Sequence, residues 1–287
     1  MDENSTKKFC KFFTSFGSII DLSLINPNYQ HVIVKPVTFL QSLDSFFHQQ
    51  DGTFQDYPSM DYGIVPEKAC RKIFKDDWPI FMDALECLNL ATPVTTRYLK
   101  MPNDVQLDRR GNYYYIPLCC TGPVFDEPDQ FSVHLLTSIS TPHFFKQVSF
   151  AKQLLDTLPE PVLVPCKNVN QTIIKNLSTD TMITISSHVP AIKLKVDEPN
   201  EEVSAYIIQA TKKIAEESHI PVKYKFVQFC VQNHITKVES LPSALYHRLP
   251  KITCKKCQDD PRFDKLLKAW TEALHANEIP DKFKATG

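Results

Sequence analysis

The sequence predicts an α+β protein built from two domains. Three observations carry that reading. A chain of 287 residues has room for two domains of ordinary size. Its early part is dominated by aromatic and aliphatic residues at helical spacing, whereas its later part sets short β-type runs between two helical stretches, the pattern of an antiparallel meander with helices laid on it. Its composition, 43% apolar and 23% charged, suits a chain that buries a core without disulfides or metal to hold it.

Phe9, Phe12, Phe13, Phe16 and Ile19 recur at three- and four-residue intervals, which predicts an amphipathic helix ending near Gly17–Asp21 with its Phe stripe in the core. Val32-Ile33-Val34 reads as a short strand. Pro36 suits the first turn of a helix whose inner face is Phe39, Leu40, Leu43, Phe46 and Phe47. Residues 49–61 read as a loop and Gly63-Ile64-Val65 as a brief extended piece. A short helix after Pro66 then buries Ala69, Cys70, Ile73 and Phe74. Asp76 and Asp77 open the next helix, running to Leu88, with Ile80, Phe81, Ala84, Leu85 and Leu88 inward. Residues 95–101 and 113–119 read as a hairpin. Helix, strand, helix, helix and hairpin is the order of a winged helix. Residues 1–122 are therefore assigned to a winged-helix-like domain, closed by the proline-rich stretch 122–128.

Residues 123–287 are assigned to an antiparallel α+β domain. Residues 131–139 form its first strand, and Thr141-Pro142 opens a helix with Phe144, Phe145, Val148, Ala151, Leu154, Leu155 and Leu158 inward. Extended segments follow around 162–164, 172–177, 182–186 and 192–196. Pro199 and two glutamates introduce a helix through Val203, Ile207, Ala210 and Ile214. A strand over 222–231 and a helix over 261–275 complete the domain.

Charge and composition narrow the function classes. Lys and Arg total 32 against 33 Asp and Glu, so no net charge draws the chain to a polyanion. The helix over 76–88, the reading helix of a winged-helix DNA binder, carries Asp76, Asp77, Asp83 and Glu86 and no cation, which opposes phosphate. Nucleic-acid binding is the alternative reading, with Arg97, Lys100, Arg109 and Arg110 on the hairpin as its contacts. Glycine, at six residues, is scarce, and no G-x-x-x-x-G-K-[ST] phosphate loop occurs. No window approaches the roughly 20 apolar residues of a membrane span. The acidic, polar start and nine irregularly spaced cysteines point to the cytoplasm.

One place offers metal chemistry. Cys254 and Cys257 have the spacing that lets two thiolates bind one tetrahedral zinc, and Cys230 with His234 could supply a second pair for a structural site, with His247 as an alternative ligand. The competing reading makes Cys230, on an alternating apolar strand, a small buried hydrophobe. No cysteine is paired in sequence with a histidine and an acid in a nucleophile motif, so no catalytic residue and no cofactor-binding residue is assigned, and the expectation is a non-enzyme.

Phe12-Phe13-Thr14-Ser15-Phe16-Gly17-Ser18-Ile19-Ile20, followed by His31-Val32-Ile33-Val34-Lys35-Pro36-Val37-Thr38-Phe39-Leu40, resembles the opening of the COR region of Roco proteins. There a helix ends in a glycine and an aliphatic pair, and a strand runs into a proline and an aromatic-leucine pair. Gly63-Ile64-Val65, the helix through Leu85 and Leu88 with Leu90, and Tyr115-Ile116-Pro117-Leu118 continue the pattern in order. The second half resembles the second COR subdomain in element order, so the likeness spans residues 9–230. Two features depart from it: Lys35 stands where the family usually has an acidic residue, and the chain has no room for the GTPase domain that precedes COR. The resemblance implies a protein-interaction and dimerisation module of a signalling scaffold, with a Ras-like GTPase domain or a second copy as partner. The exposed faces of helices 76–88 and 144–158 are the expected contact surfaces.

Overall fold

The computed structural model describes residues 3–48, 56–124, 132–138, 144–188, 191–197, 200–217, 223–229 and 235–237, with Lys268, Ala269 and Glu272. Helices and antiparallel sheets place it in the α+β class. The chain divides into two compact units, Met1–Thr96 with Met101–Gly122, and Arg97–Lys100 with Pro123–Gly287.

In the first unit, α1 (Glu3–Ser15) stops where Gly17 turns left-handed at φ 69. The Gly17 amide donates to Thr14 O and the Ser18 amide to Phe13 O, at 3.0 and 3.1 Å, a Schellman closure. β1 (Ile20–Asp21) pairs antiparallel with β2 (Val32–Ile33), Ile20 opposite Ile33. α2 (Pro36–His48) follows with proline in its first turn. A 3-10 turn, Pro58–Tyr62, ends at Gly63, also left-handed at φ 72. Gly63 is held by its neighbours: its carbonyl accepts from the Ile116 amide at 2.7 Å, and a Cβ there would lie 3.0 Å from Ile116 O and 3.1 Å from Cys120 Sγ. β3 (Ile64–Pro66), α3 (Glu67–Phe74), α4 (Trp78–Cys87), β4 (Thr92–Val94) and β5 (Tyr113–Tyr115) complete the unit. The three strands form an antiparallel sheet in the order β3-β5-β4.

Four phenylalanines from three helices build the middle of this core. Phe74 of α3 stacks on Phe81 of α4 at 4.1 Å and 9°, and its other neighbour is Phe46 of α2 at 5.1 Å. Phe39 of α2 stacks on Phe81 at 5.0 Å.

Several sequence expectations need correction. The first hairpin strand lies at 92–94, ahead of the expected 95–101, where Thr96–Tyr98 is a 3-10 turn. Pro93 disguised it; β4 is a sheet edge, and Pro93 sits exposed between buried Thr92 and Val94, where a missing amide is tolerated. The second strand ends at Tyr115, and Pro117–Cys119 is another 3-10 turn. Asp77 precedes α4 at its N-cap position but makes no side-chain capping hydrogen bond, and the helix runs from Trp78-Pro79. On α4, Ile80 is 42% exposed while Met82 and Cys87 are buried. The helix is covered on a second side, where Cys87 Sγ reaches Leu22 O at 3.6 Å, a contact that periodicity within the helix does not reveal. Phe9, Phe12, Phe16 and Leu40, all expected in the core, are exposed.

Among the described residues, the second unit is a seven-stranded antiparallel sheet with two long helices. Its elements are β6 (Ser132–Ser138), α5 (Phe144–Thr157), β7 (Pro161–Val164), β8 (Gln171–Asn176), β9 (Thr181–His188), β10 (Ala191–Val196), α6 (Glu201–Glu217), β11 (Lys223–Phe229) and β12 (Ile235–Lys237). The order is β12-β11-β6-β10-β9-β8-β7, so the first strand in sequence sits between β10 and β11. Both pair antiparallel to β6 and hence run parallel to each other, with α6 as the crossover. Ile174, Ile183, Ile185, Ile192 and Leu194 alternate onto the buried face, and Val148, Phe150, Ala151 and Leu154 of α5 supply the helical side of the core. Asn200 caps α6, its Oδ1 accepting from the Val203 amide at 2.9 Å. β12 was not anticipated. The expected helix over 261–275 lies outside the described residues except at Lys268, Ala269 and Glu272.

Candidate interaction surface

α2 has two apolar sides. Phe39, Leu43 and Phe46 are buried, while Val37 and Leu40, three positions apart and so neighbours on the helix surface, are 68% and 56% exposed. Val34, just ahead of the helix, is also exposed, as is Val32 in β2. Twelve large apolar side chains are exposed among the described residues, and all but Val124 and Leu177 precede residue 81. Sequence reading missed this edge because it assigned Leu40 inward, put Val34 in a strand and gave Val37 no place on a surface. The signal was available: Val37 lies off the Phe39–Leu43–Phe46 stripe.

α1 presents a second apolar feature. Its rings, with Phe16 just past its end, lie tilted against one another, Phe12 at 4.9 Å from Phe16 and Phe9 at 4.4 Å from Phe13. Phe9, Phe12 and Phe16 remain 48%, 57% and 69% exposed, and Lys8 and Lys11 beside them are exposed as well.

α4 sets acids beside aromatic hydroxyls. Asp83 Oδ2 lies 3.0 Å from His31 Nε2, tying α4 to the loop before β2. Burial, then the charges of Glu86, Cys87 and Asp83, push the Tyr29 phenol up to about 12. Tyr114 on β5 is likewise pushed up to about 12 by burial, with Glu86 and Glu67 as the next contributors. Asp76 and Asp77 are exposed, and the sequence Trp78–Cys87 holds no Lys or Arg. This surface is acidic.

Where α3 meets β5, Pro66, Arg71, Asp108 and Tyr113 are among the residues lining a cavity of about 200 Å³. Glu67, which also lines it, is already satisfied. The Glu67 carboxylate accepts from Asn112 Nδ2 at 2.8 Å and from Arg71 Nε at 2.7 Å, and the Asn112 bond leads in holding it below the usual carboxylate range. Arg71 also lies 4.2 Å over the Trp78 ring. The arrangement is a clasp joining α3, α4 and the strand approach.

The remaining sequence candidates fall as follows. Cys230, His234, Cys254 and Cys257, the expected zinc ligands, and the alternative His247 lie outside the described residues; among those described, no group of three or more metal-binding side chains comes together. Burial pushes the Cys70 thiol up to about 12 and Cys87 to about 11, and raises Cys119 and Cys166, so these thiols stay protonated at neutral pH. α5 offers little surface: from Gln147 to Leu158 only Lys152, Asp156 and Thr157 are exposed. Of the hairpin cations, Arg97 and Lys100 belong to the second unit and Arg109 and Arg110 to the first. No helix among the described residues is long and apolar enough to cross a membrane. Compared with known proteins, the chain matches no family model and no curated protein.

Proposed function

We propose that this chain is a non-catalytic protein-interaction and dimerisation module of the COR type, coupling to a Ras-like GTPase domain in cis or in trans. The observation that carries the reading is the exposure of Val37 and Leu40 on the outer side of α2, with Val34 exposed just ahead of it. Contiguous exposed apolar surface is a feature of protein contact sites. The edge falls within the His31–Leu40 stretch on which the COR resemblance rests. Sedimentation of the purified chain over a concentration series tests the dimerisation arm. A reversible dimer that Val37→Asp/Leu40→Asp abolishes, with unchanged melting temperature, is the expected result. A monomer at every concentration refutes it.

A second reading, a nucleic-acid binder, is favoured by one observation. The order α2-β3-α3-α4-β4-β5, with β5 between the other two strands, resembles that of a winged helix. The acids of α4 oppose it, since a reading helix must approach phosphates. Duplex DNA in a mobility-shift series at rising salt decides between them: a shift that weakens steeply with salt supports the second reading.

A further inference from the structure

We propose that α1 docks on an anionic lipid surface, lying flat with its phenylalanine ridge at the boundary between headgroups and acyl chains. At 3.6 residues per turn, Phe9, Phe12 and Phe16 fall within an arc of about 60°. All three are about half exposed or more. Lys8 and Lys11 lie roughly 70° and 130° round the helix from the centre of that ridge, close enough to reach headgroups beside it. The helix sequence sets three lysines against one glutamate. An aromatic ridge with a cationic flank is the chemistry of a helix that rests in a membrane interface.

Length and area select this occupant. Thirteen residues span only about 20 Å, short of the ~30 Å hydrocarbon core, so the helix cannot insert across a bilayer. With about 200 Å² per Phe side chain, the exposed fractions amount to about 350 Å². Two copies joined ridge to ridge would bury on the order of 700 Å², below the roughly 1,200 Å² of a specific protein interface. A bilayer sets no such threshold and asks no shape complementarity of a convex ridge. Its anionic headgroups match the lysines, each of which strengthens binding by several-fold near such a surface.

The experiment is flotation of the full chain with vesicles of phosphatidylcholine alone or phosphatidylcholine mixed with phosphatidylserine. The chain should float with the mixed vesicles and bind phosphatidylcholine alone on the order of a hundredfold more weakly. Lys8→Glu/Lys11→Glu should remove the preference for phosphatidylserine. Phe12→Ser/Phe16→Ser should abolish flotation with both compositions while leaving the melting temperature unchanged, since both rings are already exposed. No flotation of the wild type with mixed vesicles, or flotation unchanged by the Phe substitutions, overturns the proposal. So does a wild type that ignores vesicles but self-associates through these rings, which would make α1 a contact between copies. The dimer test on Val37 and Leu40 reads a different surface, so either idea can fail alone.

Discussion

Phe74→Ala tests the first unit where its helices meet. Phe74 is 6% exposed, with Phe81 stacked on it at 4.1 Å and Phe46 at 5.1 Å. Truncating a buried phenylalanine costs about 3–5 kcal/mol, the lost transfer free energy plus the cavity left behind. Each aromatic pair adds about 0.5–1.5 kcal/mol beyond its buried area. Phe74 loses two pairs at once, and Phe46, Phe81 and Phe39 are held on two other helices that cannot easily close the gap. The expected loss is therefore at the upper end, about 4–5 kcal/mol, a large part of the ~5–15 kcal/mol that stabilises a domain. The chain has two tryptophans, and Trp78 starts α4 inside this unit. Urea unfolding followed by fluorescence in a Trp270→Phe background therefore reports on the packing around α4. A loss below about 1 kcal/mol would show that the four rings do not form the stack described.

On α4, Leu85→Ala should cost about 3 kcal/mol and Ile80→Ala less than about 1, because Leu85 is fully buried and Ile80 is 42% exposed; equal losses in urea would refute that assignment. Gly63→Ala should destabilise by about 1–3 kcal/mol, from positive φ and the 3.0 Å approach to Ile116 O, and a neutral result would show that the turn rearranges freely. Stability of the first unit should fall from about pH 9 upward. Cys70 titrates near 12 when folded against an ordinary 9.0, and Tyr114 near 12 against 10.0, so the unfolded chain releases these protons first. Cys70→Ala should flatten the onset of that fall, and a urea midpoint constant to pH ~10.5 would refute it. For zinc at Cys230, His234, Cys254 and Cys257, elemental analysis without chelator should give close to one equivalent, and under about a tenth would leave them ordinary thiols.

Much of the element order was legible because periodicity is a local property. The strands at 161–164, 171–176, 181–188 and 191–196 and the helices at 36–48 and 201–217 lie where alternation and helical spacing put them. Burial direction was less legible. Leu40 and Ile80 lie beside inward residues of their own helices, and only a second neighbour, such as Leu22 against Cys87, decides which way a helix is turned. The Phe stripe of α1 was misread for the same reason: a stripe states that a face is apolar and says nothing about what covers it. Sheet order is beyond periodicity altogether. That the strand at 132–138 separates those at 191–196 and 223–229 follows from pairing across more than fifty residues. The candidate surface on α2 was readable only in part, since the same spacing that places Phe39 and Leu43 inside leaves Val37 outside.

The short passage of Arg97–Lys100 into the second unit bears on how this protein can be cut. The chain leaves the first unit at Thr96, gives four residues to the second, and returns at Met101. Those residues cover β7, where Leu99 forms a parallel bridge with Leu163 and the Lys100 amide donates to Leu163 O at 3.0 Å. β7 is otherwise the outermost strand of its sheet. A protease nick or engineered truncation after Gly122 would yield a C-terminal fragment with that edge bare, the kind of strand that recruits other chains and aggregates. The boundary that looks natural on a linear map is thus the wrong place for scissors. A second unit expressed alone would stay soluble only if a segment equivalent to 97–100 travelled with it.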